Sequence, residues 1–505
     1  MRLGSIVGVV VALALGARPS SAGQSCEALA GLVLEETTIT SAGVVPAGTH
    51  CRVVGVVAPS NGFEVWLPTS GWNGKLQGVG NGALGGYVNY FGMNPALARG
   101  YATFGSDGGR RGSPFDGSWA LGRPDLVIDF GYRSVHVTTV AAKAIVEAFY
   151  GVPPARSYFV GCSTGGRQGL MEAQRYPEDY DGFVVGAAAN PLTRVAMAGN
   201  WILQALHEDP ATIVPDDVLP RIAAAVLARC DARDGVSDGL LEDPRRCRFD
   251  PRTLRCPRGT SGPGDCLTAA QTKALKRAYA GPRTSRGRRL FPGYSPGGEI
   301  GAGSDFGPAG EPALSGWEGW IVGEALGAHH PIQDGFFKFL AFEDPSWDWR
   351  TFDFDRDPRT VEDKVGAIVD AVDPDLSALR ARGGKIVMYH GWSDPAIPAL
   401  ASVRYYERVR AAMGRRATAD FFRLFMAPGM QHCAGGPGPN AFDAVGALER
   451  WVEDGVAPDA IVATHRTDGI VDRTRPLCPY PQVARWDGTG DPDDAASFTC
   501  GRTRR

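Results

Sequence analysis

The chain has 505 residues, 44% of them hydrophobic and 21% charged, with a formal net charge of -3. That is enough apolar material for one large or two smaller cores. It gives no electrostatic footing for nucleic acid or an anionic membrane surface, so neither is expected as a partner.

Residues 1–22 read as a signal peptide. Arg2 supplies the positive charge, residues 6–17 form an uncharged apolar run, and Ser20-Ser21-Ala22 offers small residues for cleavage. The run is too short to span a bilayer, and no later stretch is long and apolar enough to do so. Export to the periplasm or the medium is expected, with the mature chain starting near Gly23. Ten cysteines, an even number, suit five disulfides in such a compartment. Spacing pairs Cys26 with Cys51, Cys230 with Cys247, Cys256 with Cys266, and Cys478 with Cys500, which leaves Cys162 and Cys433. The absence of any Cys-x-x-Cys pair argues against zinc.

Residues 23 to about 70 read as short strands and turns. Residues 72–79 lead into a glycine-rich loop, Gly80-Asn81-Gly82-Ala83-Leu84-Gly85-Gly86. With no Gly-Lys-Ser/Thr ending, it is not a phosphate loop. A strand at 101–106 and an amphipathic helix over 130–150 follow, the latter with Val137, Val140, Ala141, Ala144, Ile145 and Ala148 at helical spacing.

Ser157-Tyr158-Phe159-Val160 is an apolar, β-prone run, and Arg167 to Tyr176 reads as a helix ending at Pro177. Between them lies Gly161-Cys162-Ser163-Thr164-Gly165, a Gly-x-Ser-x-Gly pattern. Strand, tight turn and helix form the setting of a nucleophile elbow, in which flanking glycines relieve a crowded turn and the serine hydroxyl stands clear of the sheet. After one more strand at 183–187 the alternation of strand and helix stops near Asn190 and resumes near Lys385. The expected fold is therefore α/β with a mostly parallel sheet. Its core comprises residues 23–190 and 381–505, with an inserted lid domain at 191–380. The insertion carries Trp317, Trp320, Phe336, Phe337, Phe339, Phe342, Trp347 and Trp349. Most of these are expected in its own core, and one or two in a substrate pocket.

Asp394 follows the strand at 385–390, and His432 follows the strand at 421–426. The order Ser163, Asp394, His432 is that of an α/β-hydrolase. Each member sits past the C-terminal end of a strand, where such sheets carry their chemistry. His432 is the expected base and Asp394 the residue that orients it. His390, on the strand itself, and His329 and His330, in the insertion, are rivals. The backbone N–H groups of Thr164 and Gly82 are the expected oxyanion donors. If Ser163 and His432 meet, Cys162 and Cys433 must lie close together. The remainder after a helix at 442–454 reads as proline-rich coil.

The stretch 231–240 places Asp231, Asp234 and Asp238 at short spacing with glycines for sharp turns, which suits a hard cation such as calcium, although the spacing is not that of an EF-hand.

With these residues assembled, the chain resembles the tannase and feruloyl esterase family, which includes terephthalate-monoester hydrolases. The resemblance rests on Gly-Cys-Ser-x-Gly-Gly-Arg-Gln-Gly at 161–169, Cys-Asp-x-x-Asp-Gly-Val-x-Asp-Gly at 230–239, Asp-Trp-Arg-Thr-Phe-Asp-Phe at 348–354, His-Gly-Trp-Ser-Asp at 390–394 and His-Cys at 432–433. It implies an α/β-hydrolase with a lid after the elbow strand and a disulfide between Cys162 and Cys433. It also implies structural calcium held by side chains of Asp231, Asp234 and Asp238 and the carbonyls of Val236 and Leu240. Ala83 stands where the family's loop would have glycine. The expected activity is a secreted serine esterase on esters of hydroxycinnamic or gallic acids, feruloyl esterase leading, tannase next and terephthalate-monoester hydrolase third. A hydrolase fold serving only to bind is the alternative of another class.

Overall fold

The computed structural model describes residues 23–257, 266–299, 316–323 and 326–502. Residues 1–22, expected to be a signal peptide, lie outside them. One nine-stranded sheet runs in the order β1-β2-β3-β5-β4-β6-β7-β8-β9. Its strands are β1 (Thr37–Val44), β2 (His50–Val57), β3 (Asn61–Pro68), β4 (Lys75–Val79), β5 (Ala102–Ser106), β6 (Arg156–Cys162), β7 (Gly182–Gly186), β8 (Lys385–Gly391) and β9 (Phe422–Ala427). The first three form an antiparallel meander, and β3 pairs antiparallel with β5. From β5 to β9 every pairing is parallel. The parallel strands are apolar through most of their length because both faces are covered. Phe159, Phe183, Val185, Ile386, Met388 and Leu424 are all fully buried.

The chain leaves β4 toward β5 on one side and returns to β6 on the other. The strand order thus reverses at β4, and the loops after β4 and β6 open onto one crevice, the place where such sheets bind ligands. The helix expected over 130–150 runs from Ser134 to Tyr150, after a π-type turn at Asp129–Arg133. Its buried face is rotated from the one expected: Val140 is exposed, whereas Thr138 and Thr139 are buried. Both threonines bond their hydroxyls back to carbonyls one turn earlier, and Asn61 donates to Thr138, so the polar atoms are satisfied in the core.

Between β7 and β8 the chain forms helices around a core that contains Trp317, Phe336, Phe337, Phe352 and Phe354. That core continues into Leu84 and Phe130 on one side and Ala396 and Ile397 on the other, so the insertion is packed onto the loops above the sheet. The C-terminal stretch corrects the sequence reading. It is not coil but two hairpins, β10 (Ile461–Thr467) with β11 (Ile470–Leu477) and β12 (Gln482–Trp486) with β13 (Phe498–Arg502). Arg475 is buried there, its guanidinium 3.9 Å above the ring of Phe498. Disulfides join Cys26–Cys51, Cys230–Cys247, Cys256–Cys266 and Cys478–Cys500, the four pairs expected from spacing, and Cys162–Cys433, the pair left over.

Candidate active site

Ser163 sits between the end of β6 and a helix at Thr164–Arg175, with φ 61° and ψ -124°, a conformation of positive φ. Its N–H donates to the carbonyl of Gly186 at 3.0 Å, and its own carbonyl accepts from Arg167 and Ala189, each at 3.0 Å. The glycines are required here. A Cβ on Gly161 would lie 2.4 Å from the carbonyl oxygen of Gly165, and one on Gly165 3.0 Å from that of Asn81. Gln168 clamps the glycine-rich loop to the elbow, accepting from the Asn81 N–H and donating to the Asn81 side chain.

Arg167, whose part the sequence reading did not recognise, is wholly buried behind the elbow. It donates to the carbonyls of Gly131 at 2.7 Å and Phe130 at 2.8 Å and lies over the Phe130 ring, and burial pushes its pKa down to about 10. It fixes the elbow helix to the turn that precedes the helix at Ser134–Tyr150.

The glycine-rich loop meets Ser163 one residue later than expected. Ala83 and Leu84, not Gly82, stand with Ser163 and Thr164 on the cavity wall, and the Thr164 hydroxyl donates to the Ala83 carbonyl at 2.6 Å. Ala83 has φ 44°, which explains why a glycine is expected at this position. The N–H groups of Ala83 and Thr164 have no hydrogen-bond partner among the described residues.

Asp394 is fully buried on the loop after β8. Its Oδ1 accepts from the N–H groups of Ala396 and Ile397, both at 2.8 Å. Its Oδ2 faces His432 Nδ1 at 2.8 Å and His390 Nε2 at 2.9 Å. Burial alone would raise the carboxyl pKa, but the charge of His432 and hydrogen bonds from both imidazoles hold it well below the usual range. His432 therefore reaches Asp394, and so does its rival His390. His330 stands outside the residues that wall the cavity around Ser163.

Ser163 and His432 line the same cavity. Its walls are largely apolar: Leu84, Leu192, Val195, Ala196, Ile332, Phe336, Ala396 and Ile397. Trp320 lies edge-on to His432 at 5.7 Å between ring centroids, so one of the insertion's tryptophans does line the pocket. His329 also lines it. Burial pushes its pKa down to about 4, and its Nε2 lies 3.0 Å from the Tyr294 hydroxyl and 3.1 Å from the Pro395 carbonyl. The insertion thus holds the very loop that carries Asp394.

No residue of the acidic stretch lines this cavity. Asp231 accepts from the N–H groups of Asp238 and Gly239, Asp234 from those of Val236 and Glu242, and Asp238 from that of Leu240. Burial raises Asp234 to about 6, and the charges of Asp238 and Asp231 add to it. Arg475 pairs with Asp238 and lies 3.6 Å from Glu242. The loop fits a hard cation in donor type and in surplus negative charge. Its side-chain oxygens are engaged by the loop's own N–H groups. Among the described residues, three metal-competent side chains lie within 4.8 Å of one another only at His136, Glu172 and Asp179. There the Lys143 ammonium, 3.9 Å from Asp179, already supplies a cation.

The parallel sheet, the elbow and the Asp394–His432 pair define an α/β-hydrolase. A family model for tannase and feruloyl esterase matches residues 44–501, and the chain belongs to that family. It is a carboxylic ester hydrolase. It is 39% identical to an uncharacterised esterase of Xanthomonas campestris pv. campestris over 95% of this chain and 92% of that one. It is 37% identical to the mono(2-hydroxyethyl) terephthalate hydrolase of Piscinibacter sakaiensis, over 89% and 84% of the two chains. The crystal structure of feruloyl esterase B from Aspergillus oryzae superposes with a TM-score of 0.85 at 28% identity, over 94% of this chain and 99% of that one.

Proposed function

We propose that the protein hydrolyses esters of aromatic acids through an acyl-enzyme on Ser163, with His432 as base and Asp394 as its orienting carboxylate. The observation that carries this is the 2.8 Å contact between His432 Nδ1 and Asp394 Oδ2, in an imidazole tethered beside Ser163 by the Cys162–Cys433 bridge. With Nδ1–H donating to Asp394, Nε2 is left to take the Ser163 proton as the hydroxyl attacks the ester carbonyl. The charge that develops on the carbonyl oxygen is met by the N–H groups of Thr164 and Ala83, the latter replacing Gly82 in that role. The imidazolium, offset by ionised Asp394, returns its proton to the leaving alcohol. Water then repeats the sequence on the acyl group.

The apolar cavity suits an aromatic acyl group, and relatives bearing the names feruloyl esterase and terephthalate-monoester hydrolase support that class. Feruloyl-type esters lead, with galloyl and terephthaloyl esters as the other arms of the test. Residues 191–380 serve as a lid, ordered by calcium at Asp231, Asp234 and Asp238 with the carbonyls of Val236 and Leu240. Five disulfides and the leader-like first 22 residues support export.

Ser163→Ala is expected to lower turnover of a chromogenic aryl ester by roughly 10^4-fold or more with the fold intact. Near-normal turnover would end the serine-esterase reading. Methyl ferulate, methyl gallate and a terephthalate monoester then rank the acyl groups.

A further inference from the structure

Asp394 is held by two histidines, and the mechanism above uses only one. His390, the next-to-last residue of β8, is fully buried, as is Ser402 on the helix Leu400–Met413. His390 Nδ1 lies 2.7 Å from the Ser402 hydroxyl, and its Nε2 lies 2.9 Å from Asp394 Oδ2 and 3.2 Å from the Ile397 carbonyl. Both neighbours of Nε2 are acceptors, so Nε2 carries a proton. The Ser402 hydroxyl can donate to Nδ1, so a neutral ring is satisfied at both nitrogens without burying a further charge.

We propose that His390 is a positioning residue for the triad carboxylate, donating to the same oxygen that receives His432 and thereby fixing both the orientation of Asp394 and its pull on His432. The inference rests on the Ser163–His432–Asp394 reading. Oδ1 is already committed to two backbone N–H groups, which leaves Oδ2 alone to face the imidazoles. An oxygen shared between two donors is a weaker acceptor for each. His390 therefore tempers the stabilisation that Asp394 gives to the imidazolium of His432. The other titratable groups near Asp394, Tyr294 and His329, reach in from the insertion but direct their polar atoms to the Ala396 and Pro395 carbonyls.

The test compares His390→Asn with His390→Gln. The glutamine amide reaches about as far as the lost Nε2–H, and the asparagine amide stops short of Asp394. With both variants shown folded by circular dichroism, Asn is expected to lower kcat on the order of 10- to 100-fold with little change in KM. It also displaces the acid limb of kcat/KM from its wild-type position, because the carboxylate that orients His432 is no longer shared. Gln restores both. Equal behaviour of the two variants, or a wild-type pH profile in folded Asn, overturns the proposal. Wild-type protein labelled with 15N-histidine gives a further readout: apart from His136 and His465, whose Nδ1 atoms also face carboxylates, two strongly deshielded N–H protons, from His432 Nδ1 and His390 Nε2, the latter lost in His390→Asn. A single such proton also overturns it. Ser163→Ala separates the two readings. Activity in that variant removes the triad itself, whereas loss there with wild-type behaviour in both His390 variants removes only this inference.

Discussion

Cys162 and Cys433 are bridged at a Cα separation of 5.9 Å, and they are the immediate chain neighbours of Ser163 and His432. Two residues of positive φ meet here, Ser163 at 61° and Cys433 at 64°, so the bridge ties one constrained turn to the other. The His432 segment follows Pro428-Gly429, and Gly429 is itself at φ 70°. Position sets this bridge apart from the other four.

The double variant Cys162→Ala with Cys433→Ala is expected to lose catalysis before it loses the fold. The bridged residues are 271 apart in sequence. Chain entropy alone would then give roughly 4–5 kcal/mol of stabilisation as an upper bound. Four further disulfides and a large core still support the fold. A drift of the imidazole by about 1 Å from the serine hydroxyl costs on the order of 100-fold in rate. Turnover is compared at a temperature where circular dichroism shows the variant fully folded, and wild-type turnover there would reduce the bridge to a staple.

Calcium at the acidic loop is expected to raise the melting temperature, and more so at higher pH. Asp234 has its pKa raised from 3.8 to about 6, chiefly by burial. Below the lower value the group is protonated folded or unfolded and contributes nothing. Between the two values only the folded chain keeps the proton, so the slope of stability with pH is negative there. Above about 6 the buried charge counts in full against the metal-free fold. A cation takes the ionised carboxylate, so its affinity rises over that same window, and its stabilisation follows by mass action. Melting curves with calcium and with a chelator should separate widely at about pH 7.5 and converge near about pH 4.5. Coincident curves at both pH values, with no metal found by elemental analysis, would remove the site.

The elbow and the triad order were legible because their chemistry is written into spacing. Gly161 and Gly165 are dictated by oxygen atoms that a Cβ would strike, and a parallel strand covered on both faces reads as an apolar run. What escaped depends on three-dimensional partnerships. The C-terminal hairpins were hidden by prolines and by charged strand residues such as Arg475, whose burial is offset by the Asp238 carboxylate and the ring of Phe498. The proposal of Ala83 in place of Gly82 turns on backbone conformation, since an alanine at φ 44° does not announce itself in sequence. Closeness to Asp394 in sequence made His390 a rival of His432, but only the fold reveals that one carboxylate oxygen serves both.

Trp320 is the residue through which the inserted segment is expected to select aromatic acyl groups. It is buried, lies edge-on to His432 at 5.7 Å and to His329 at 5.3 Å, and forms part of the wall of the cavity that holds Ser163. An aromatic acyl group in that cavity would gain a stacking or edge contact, worth about 0.5–1.5 kcal/mol beyond its buried area. An acetyl group is too small to make that contact. Trp320→Ala should therefore lower kcat/KM for methyl ferulate roughly tenfold or more, from the lost contact and lost burial together. It should lower the value for an aryl acetate much less. A drop shared equally by both substrates would mean that Trp320 only holds His432 in place. The ratio of the two kcat/KM values, measured on variant and wild type at a temperature where both are folded, decides between these roles.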